Sequence, residues 1–467
     1  MTSPVLVVGG GLAGCEAAWQ LAAAGVPVRL VEMRPHVVTP AHRSGQLAEL
    51  VCSNSLRSDA LTNAVGLLKA EMTALGSLVM AAARAAALPA GGALAVDRTR
   101  FSGLITRVLE EDPLVSVERR EIREIPDPPA ILATGPLTSP LLHAALTASL
   151  GEAALSFFDA IAPVVAAESL DTERLFRASR YGKGGGEDYL NAPFTREEYR
   201  AFVAAVLAAE KAPVRDFEQG VCYFEGCLPI EVMAERGEDT LRFGPMKPVG
   251  LRDPRTGRTP YAVAQLRQDD LAAEHWNLVG FQTRMSHTAQ QRVLRMIPGL
   301  EQARFVRLGM VHRNTFLCAP RHLDAWLRMY RHPGVRVAGQ ITGVEGYVES
   351  AATGLLAGLF TAADIKGADL PAIPPWSAHG GLIRHLTARD AGRFQPANIS
   401  WGLMQEPPVP LPREKKARRE AAAAAALDAV IHFRGSFPWA VREVPVFPGV
   451  QPSFPPGEAP ATGAPAR

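Results

Sequence analysis

The chain is poor in the features that would sort it at once. It has five cysteines in 467 residues, Cys15, Cys52, Cys222, Cys227 and Cys318, odd in number and widely spaced. That excludes a disulfide framework, and the absence of any C-x-x-C pair argues against a zinc ribbon. A formal net charge of +2 removes any global acidic or basic argument and leaves only local charge to read. Uninterrupted apolar runs of about 20 residues are missing, and the alanine-rich stretches 81–87 and 421–426 are short and flanked by charge, which reads as helix rather than membrane span. No basic segment precedes the first apolar run, so a secretory leader is not expected and a reducing, cytoplasmic setting is. The hydrophobic share of 47% and charged share of 21% are those of an ordinary globular protein long enough for two or three domains.

What is present begins at the N-terminus. Pro4–Val8 is a short β-branched run, followed by Gly9, Gly10, Gly11, Leu12, Ala13 and Gly14, a helix-forming stretch to Ala24, and a second apolar run, Val28–Val31, ending on Glu32. Strand, glycine turn, helix, strand and acid make the dinucleotide fingerprint G-x-G-x-x-G. In it Gly9 makes the turn, Gly11 admits the pyrophosphate, Gly14 lets helix meet strand, and Glu32 stands where the ribose-binding acid is expected. The helix N-terminus supplies unpaired N–H groups for phosphate. The fingerprint does not distinguish FAD from NAD.

Further along, residues 33–59 read as a polar loop, 67–88 as one helix, 94–97 as a strand, 100–110 as a helix and 114–123 as an alternating, half-buried strand. The apolar stretch 130–135, AILATG, has the form of a strand returning beside a cofactor. From about 150 to 300 aromatic residues become denser, and 182–186 is a glycine loop. Residues 334–354, GVRVAGQITGVEGYVESAATG, again read as strand, glycine turn and helix, the pattern that closes over a flavin, with Gly339, Gly343 and Tyr347 as its candidate cofactor residues. The expected fold is therefore α/β: a Rossmann-like FAD-binding domain of the two-dinucleotide type, formed by 1–150 and 305–435, with an inserted α/β substrate or tRNA domain at 151–304. A Pro-, Gly- and Ala-rich tail, 440–467, lacks the apolar content to pack.

Two features carry chemistry. Cys227, in FEGCLPIE, and Cys52, in CSNSLRSD, stand in polar or glycine- and proline-flanked loops where a thiol can meet a ligand; a nucleophilic role needs a thiolate. The alternative for each is a packed cysteine, the common state of that residue, and it is the reading for Cys15 on the first helix. The second feature is the arginine series 284, 292, 295, 304, 307, 313, 321, 328, 331 and 336, with the cluster Arg413, Lys415, Lys416, Arg418 and Arg419. Such density suits a phosphate backbone; the alternative is a solvated face.

Taken together these stretches resemble the folate- and FAD-dependent tRNA (uracil-5-)-methyltransferases, the TrmFO family. The resemblance rests on GGGLAGCEAAWQLA from Gly9, VEMRP from Val31, LVCSNSLRSD from Leu50, DRTRFSGLIT from Asp97, FEGCLPIEVMAERG from Phe224, LRFGPMKPVGL from Leu241, VGFQTRM from Val279, RMIPGLE from Arg295, HRNTF from His312 and GQITGVEGYVESAATG from Gly339, with FQPANISWGL from Phe394 a looser match. It spans the chain to about residue 435, and CSNSLRSD combined with FEGCLPIE is its most specific part. It implies FAD as cofactor and transfer of a one-carbon unit from 5,10-methylenetetrahydrofolate, carried and reduced by FADH2 with NAD(P)H as reductant. The acceptor is C5 of the uridine at position 54 in the T loop of tRNA, and tetrahydrofolate is released. It implies Cys227 as the thiol that adds to uracil C6, with Cys52 assisting on the same base, and neither a membrane nor an obligatory protein partner. Three alternatives stay open: a flavin thiol oxidoreductase, which a paired C-x-x-C or C-x4-C close to the flavin would favour, although Cys222 and Cys227, with the x4 spacing, fall in the inserted region; a MnmG-like enzyme acting on the wobble uridine; and an RNA-binding flavoprotein without turnover.

Overall fold

The computed structural model describes residues 3–39, 41–151, 155–160, 162–212, 228–309, 311–388, 394–445 and 447. Cys222 and Cys227 lie outside them. The N-terminal run folds as the strand Val5–Val8, flanked by Val28–Glu32 and Ala130–Leu132, both parallel to it. The sheet extends on one side to Val115–Arg119 and on the other to His332–Val337, again parallel, and only the outermost strand, Arg328–Met329, runs antiparallel. Val5, Val7, Leu30, Ile131 and Leu132 are almost fully buried. Strands covered on both faces read as continuous apolar runs rather than alternating ones, which explains VLVV and AIL.

Two helices cover this sheet at unusually close range. Gly354 and Gly358, on the helix Tyr347–Lys366, face the helix Leu12–Ala23, and a Cβ at Gly354 would lie 2.1 Å from the carbonyl oxygen of Ala13. Glycine is required where backbones approach this closely. Tyr347–Lys366 is long and apolar enough to cross a membrane, yet it is the central core helix here, with sixteen consecutive buried residues from Val348 to Ala363.

A second six-stranded sheet is antiparallel throughout, in the order Phe176–Arg177, Tyr189–Phe194, Ala262–Gln268, His275–Leu278, Val164–Ala166, Phe305–Arg307. One face, with Leu190, Ala192, Phe194, Ala264 and Leu266, packs on the helix Arg196–Leu207 and forms a separate hydrophobic core. That helix begins with a capping box in which Thr195 and Glu198 satisfy each other's backbone N–H groups. The opposite face bears Tyr189, Asn191, Gln265 and Arg267, the alternate residues of the same two strands. The chain leaves the first core and returns to it through Leu155–Ala160 and Val311–Phe316, which pair as an antiparallel ribbon. Because Phe305–Arg307 is an edge strand of the second sheet, that sheet runs past the boundary expected at 304/305.

Other expectations are amended. The single helix expected over 67–88 is two, Ala64–Ala74 and Leu78–Ala85, bent by 110°. The break falls at Gly76, whose φ of +76° ends the first helix, and Ser77 caps the second by accepting from the Met80 N–H. Within the polar loop 33–59 lies a strand, Ser55–Ser58, in a small sheet with Ala93–Val96 and Ala87–Leu88. The helix expected from residue 100 starts at Arg98, capped by Asp97, and the strand expected over 114–123 is confined to Val115–Arg119. The first residues beyond 440 pack: Arg442 lies 4.5 Å over the Trp19 ring and pairs with Asp112, and Phe447 is buried. The remainder of the tail lies outside the described residues.

Candidate active site

At the C-terminal ends of the parallel strands opens a cleft lined by Gly9, Gly11, Leu12, Ala13, Glu32, residues 133–139, Gly339, Gln340 and Tyr347 among others. This is the position where open α/β sheets bind ligands. The three fingerprint glycines differ in what surrounds them. A Cβ at Gly9, whose φ is +106°, would meet the Ala133 carbonyl oxygen at 2.4 Å, and one at Gly14 would meet the Gly9 carbonyl oxygen at 1.8 Å. A Cβ at Gly11 would meet nothing within 4 Å. Gly9 and Gly14 are thus required by packing, whereas the space beside Gly11 is an open cradle at a helix N-terminus, with the form needed for a diphosphate. Gly10 does not line the cleft; its N–H donates to Glu32 Oε2 at 2.8 Å. Gly343 also lies off the cleft, at a turn with φ +92° where a Cβ would run into the Phe394 ring at 2.5 Å.

Glu32 ends its strand at the cleft wall. Burial pushes its carboxyl up, but the Arg34 guanidinium and the N–H groups of Arg34 and Gly10 outweigh this and hold it below the usual carboxylate range. Arg34 also pairs with Glu49 at 3.0 Å. Arg34, Glu49 and Gln340 are cleft residues that the sequence did not single out; a polar side chain in a loop or turn carries no period by which to find it. The stretch 133–135, the end of AILATG, lines the cleft as expected of a returning strand.

The cysteines separate clearly. Cys15 is fully buried on the first helix, its thiol donates to the Gly10 carbonyl at 3.3 Å, and burial pushes that thiol up, so it is a packing residue. Cys52 is half-buried in a loop that reaches the cleft through Val51 and Tyr347. The backbone N–H groups of Cys52 and Ser53 donate to Tyr347 Oη at 2.7 and 3.2 Å. Burial pushes the Tyr347 phenol up, so it stays protonated and accepts both N–H groups through the lone pairs of its oxygen.

Three guanidinium groups brace the same loop from other elements. Arg98 donates to the carbonyls of Leu50 (2.6 Å) and Cys52 (3.2 Å), and Arg307 to those of Val51 (3.3 Å) and Cys52 (3.0 Å). Arg267 binds Asn54 Oδ1 at 2.9 Å and Ser53 Oγ at 2.8 Å. Among the described residues a single carboxylate, Asp269, hydrogen-bonds this trio, through Arg98. Burial, and then the neighbouring Arg98, push Arg307 down to about 10. Together the three guanidinium groups make the surroundings of the Cys52 loop electropositive.

Other arginines of the 284–336 series are committed within the fold. Arg295 binds the Ala303 carbonyl, Arg304 pairs with Glu168, Arg331 binds the Ser149 carbonyl, and Arg328 and Arg336 share Asp364. With Arg307, at least six of the ten arginines thus have partners within the fold, on strands and turns that belong to two sheets. Cys227 itself is not described, but Glu231, four residues on, is. Its Oε1 accepts from Thr283 Oγ1 and from the N–H groups of Arg284 (3.1 Å) and Met285 (2.9 Å), and burial pushes its carboxyl up. This carboxyl anchors the helix Ile230–Glu235 that follows the cysteine.

Residues 4–369 match the family model described as Glucose inhibited division protein A. Methylenetetrahydrofolate--tRNA-(uracil-5-)-methyltransferase TrmFO of Geobacter sulfurreducens is 56% identical over 434 residues, covering 93% of this chain and 99% of that protein. The protein of the same name from Rhodospirillum rubrum is 54% identical over 460 residues, 95% of each chain. This chain belongs to the TrmFO family. Two crystal forms of Aquifex aeolicus GidA superimpose with TM-scores of 0.66 and 0.67 at 15% and 16% identity, covering 92% of this chain and 73% and 76% of theirs. At that identity the likeness speaks for the fold, and it agrees with the α/β, Rossmann-like architecture expected from the first 32 residues. Membership of the TrmFO family also fits the two motifs, CSNSLRSD and FEGCLPIE, on which the resemblance chiefly rested.

Proposed function

We propose that this chain is a folate-dependent methyltransferase acting on C5 of a uridine, that at position 54, in the T loop of tRNA, with FAD as cofactor, 5,10-methylenetetrahydrofolate as one-carbon donor and NAD(P)H as reductant. The observation that carries the reading is the docking of the Cys52 loop on Tyr347, a wall of the nucleotide cleft, in a chain more than half identical to proteins bearing that activity in their name.

The residues present fit a flavin dinucleotide. The cradle beside Gly11, with Leu12 and Ala13, would take the diphosphate, Glu32 the ribose, and Gly339 and Tyr347 the far end of the cleft. Bound there, FAD supplies the redox chemistry that turns a methylene into a methyl. The chain's own part is to make a poor carbon nucleophile reactive. Cys227, chosen by motif match, adds as thiolate to uracil C6, and the C5=C6 electron pair moves onto the carbonyl oxygen as an enolate, leaving C5 nucleophilic. Once C5 has gained carbon, its proton leaves and the thiolate is expelled. Cys52, held among Arg98, Arg267 and Arg307, is the second thiol and the candidate to take that proton. The target base has to leave its stack to reach this site.

The test is purification followed by an absorbance spectrum and transfer of label from methylenetetrahydrofolate to a tRNA transcript. Yellow protein and label at the T-loop uridine are expected. Cys227→Ala should keep the flavin and lose transfer by several orders of magnitude, on the order of 4 to 8 kcal/mol in barrier, and RNA carrying 5-fluorouridine should trap a covalent complex with the unaltered protein only. Full-rate transfer by Cys227→Ala would overturn the nucleophile, and label at the wobble position would favour the MnmG-like alternative.

A further inference from the structure

The loop that follows the helix Thr240–Phe243 is not used by the cleft. From Leu241 to Arg258, helix end and loop together hold five basic residues against one acid, Asp253. Asp253 is taken by Arg255 at 2.7 Å. Lys247, Arg252 and Arg258 are exposed. Underneath, the loop is firmly built: Met246 and Leu251 are buried, the Met246 carbonyl accepts from the Val263 N–H at 3.0 Å, and Leu251 packs with Phe176 and Val263.

Large apolar groups are nevertheless left in water on its outer side. Phe243 is 74% exposed, Tyr181 65% and Val249 51%. Tyr181 is fixed there by the backbone. Its φ is +58°, its N–H donates to the Gly250 carbonyl at 2.9 Å, and a Cβ on Gly250 would meet its ring at 2.9 Å. A non-glycine residue in this region is strained, and such strain concentrates at functional positions. The Arg242 guanidinium lies 5.7 Å from the Phe243 ring and 4.3 Å from the Tyr261 ring.

The loop is tied to the site by hydrogen bonds. Arg180 binds the Val249 carbonyl at 3.0 Å and Gln265 Oε1 at 2.8 Å. Gln265 and Arg267 are alternate residues of one strand, and Arg267 holds Ser53 beside Cys52. Gln265 and Arg267 are themselves buried, so the link from Val249 to the Cys52 loop runs beneath the surface as a chain of hydrogen bonds.

We propose that this face receives unpaired nucleotides of the RNA substrate, with Phe243 and Tyr181 as stacking platforms and Lys247, Arg252 and Arg258 against the phosphates. The proposal rests on the tRNA reading above and says where that RNA lies. Exposed rings between cations of one sign match a single strand, whose bases offer π-faces and whose backbone is anionic. A protein partner would meet a core depleted of charge, which this face is not.

The test is binding of the flavin-loaded protein to an unmodified tRNA transcript and to a plain RNA duplex. Phe243→Ala should weaken tRNA binding about 5- to 150-fold, Phe243→Trp should restore it and Phe243→Leu should not. The double substitution Lys247→Ala with Arg252→Ala should lower the salt slope by about 1.4, two single-strand contacts. Duplex affinity under Phe243→Ala and flavin content in every variant should stay as in the unaltered protein. Unchanged tRNA affinity and salt slope in these variants, in a protein that otherwise binds and methylates tRNA, would overturn the proposal and leave the function standing. Failure of the unaltered protein to bind tRNA would overturn the function instead. Loss of self-association by light scattering, with RNA affinity intact, would overturn it in favour of a second copy.

Discussion

Replacing Gly11 and Gly14 separately by alanine should divide cofactor binding from folding. The two residues are three apart in one turn, yet their surroundings are opposite. Gly11 has φ −78°, which any residue adopts, and open space where its Cβ would stand. Alanine there gives up the mild advantage of glycine at an N-cap, about 0.5 to 1 kcal/mol, and regains about 0.4 to 1 kcal/mol by restricting the unfolded chain. The flavin-free protein should therefore melt within a degree or two of its parent. The new methyl stands in the cradle for the diphosphate, and displacing it from two charge-assisted N–H contacts costs about 3 kcal/mol or more, a hundredfold or greater loss of FAD affinity. At Gly14 the new Cβ would lie 1.8 Å from the Gly9 carbonyl oxygen, a backbone atom that cannot turn aside. Overpacking of this kind costs about 1 to 3 kcal/mol and at times more, so Gly14→Ala should lower the melting temperature of the flavin-free protein as well as its flavin content. Melting is followed by tryptophan fluorescence and flavin content by absorbance. Equal destabilisation of the flavin-free forms, or a Gly11→Ala protein that stays yellow, would refute the assignment of the cradle.

Lys69 is buried, binds the carbonyls of Leu56 (3.1 Å) and Arg57 (3.2 Å), and is pushed down to about 8 by burial despite its pairing with Asp59. Because the unfolded chain then holds the extra proton between about pH 8 and 10.5, stability should rise with pH across that window, by about 3 kcal/mol at most. Lys69→Met should flatten this rise in urea titrations, and parallel curves for the two proteins would contradict it. Tyr347→Phe removes the acceptor for two backbone N–H groups, at about 1 to 3 kcal/mol. Hydrogen exchange at Cys52 and Ser53 should quicken by one to two orders of magnitude, and unaltered protection there would show that the phenol does not hold the loop.

What the sequence by itself determined is the part built from neighbours in the chain. Strand, glycine turn, helix and acid from Val5 to Glu32 are legible because each residue's role depends on others within about thirty positions, and the same holds for the turn and helix from Gly339 to Gly354. Family motifs added Cys52 and Cys227, and with them the chemistry. Tertiary structure alone decided which charges surround Cys52. Arg98, Arg267 and Arg307 reach its loop across 46, 214 and 255 positions of sequence. In sequence they are indistinguishable from Arg304 or Arg328, which pair with Glu168 and Asp364 instead. It likewise decided that Glu71, mid-helix and unremarkable in sequence, caps the helix Ala378–Leu386 from 307 positions away, and that a ring such as Phe243 stays in water while Phe281 is buried. Periodicity records which face of an element is apolar; the partner a polar side chain finds is fixed only when distant elements pack and water is excluded between them.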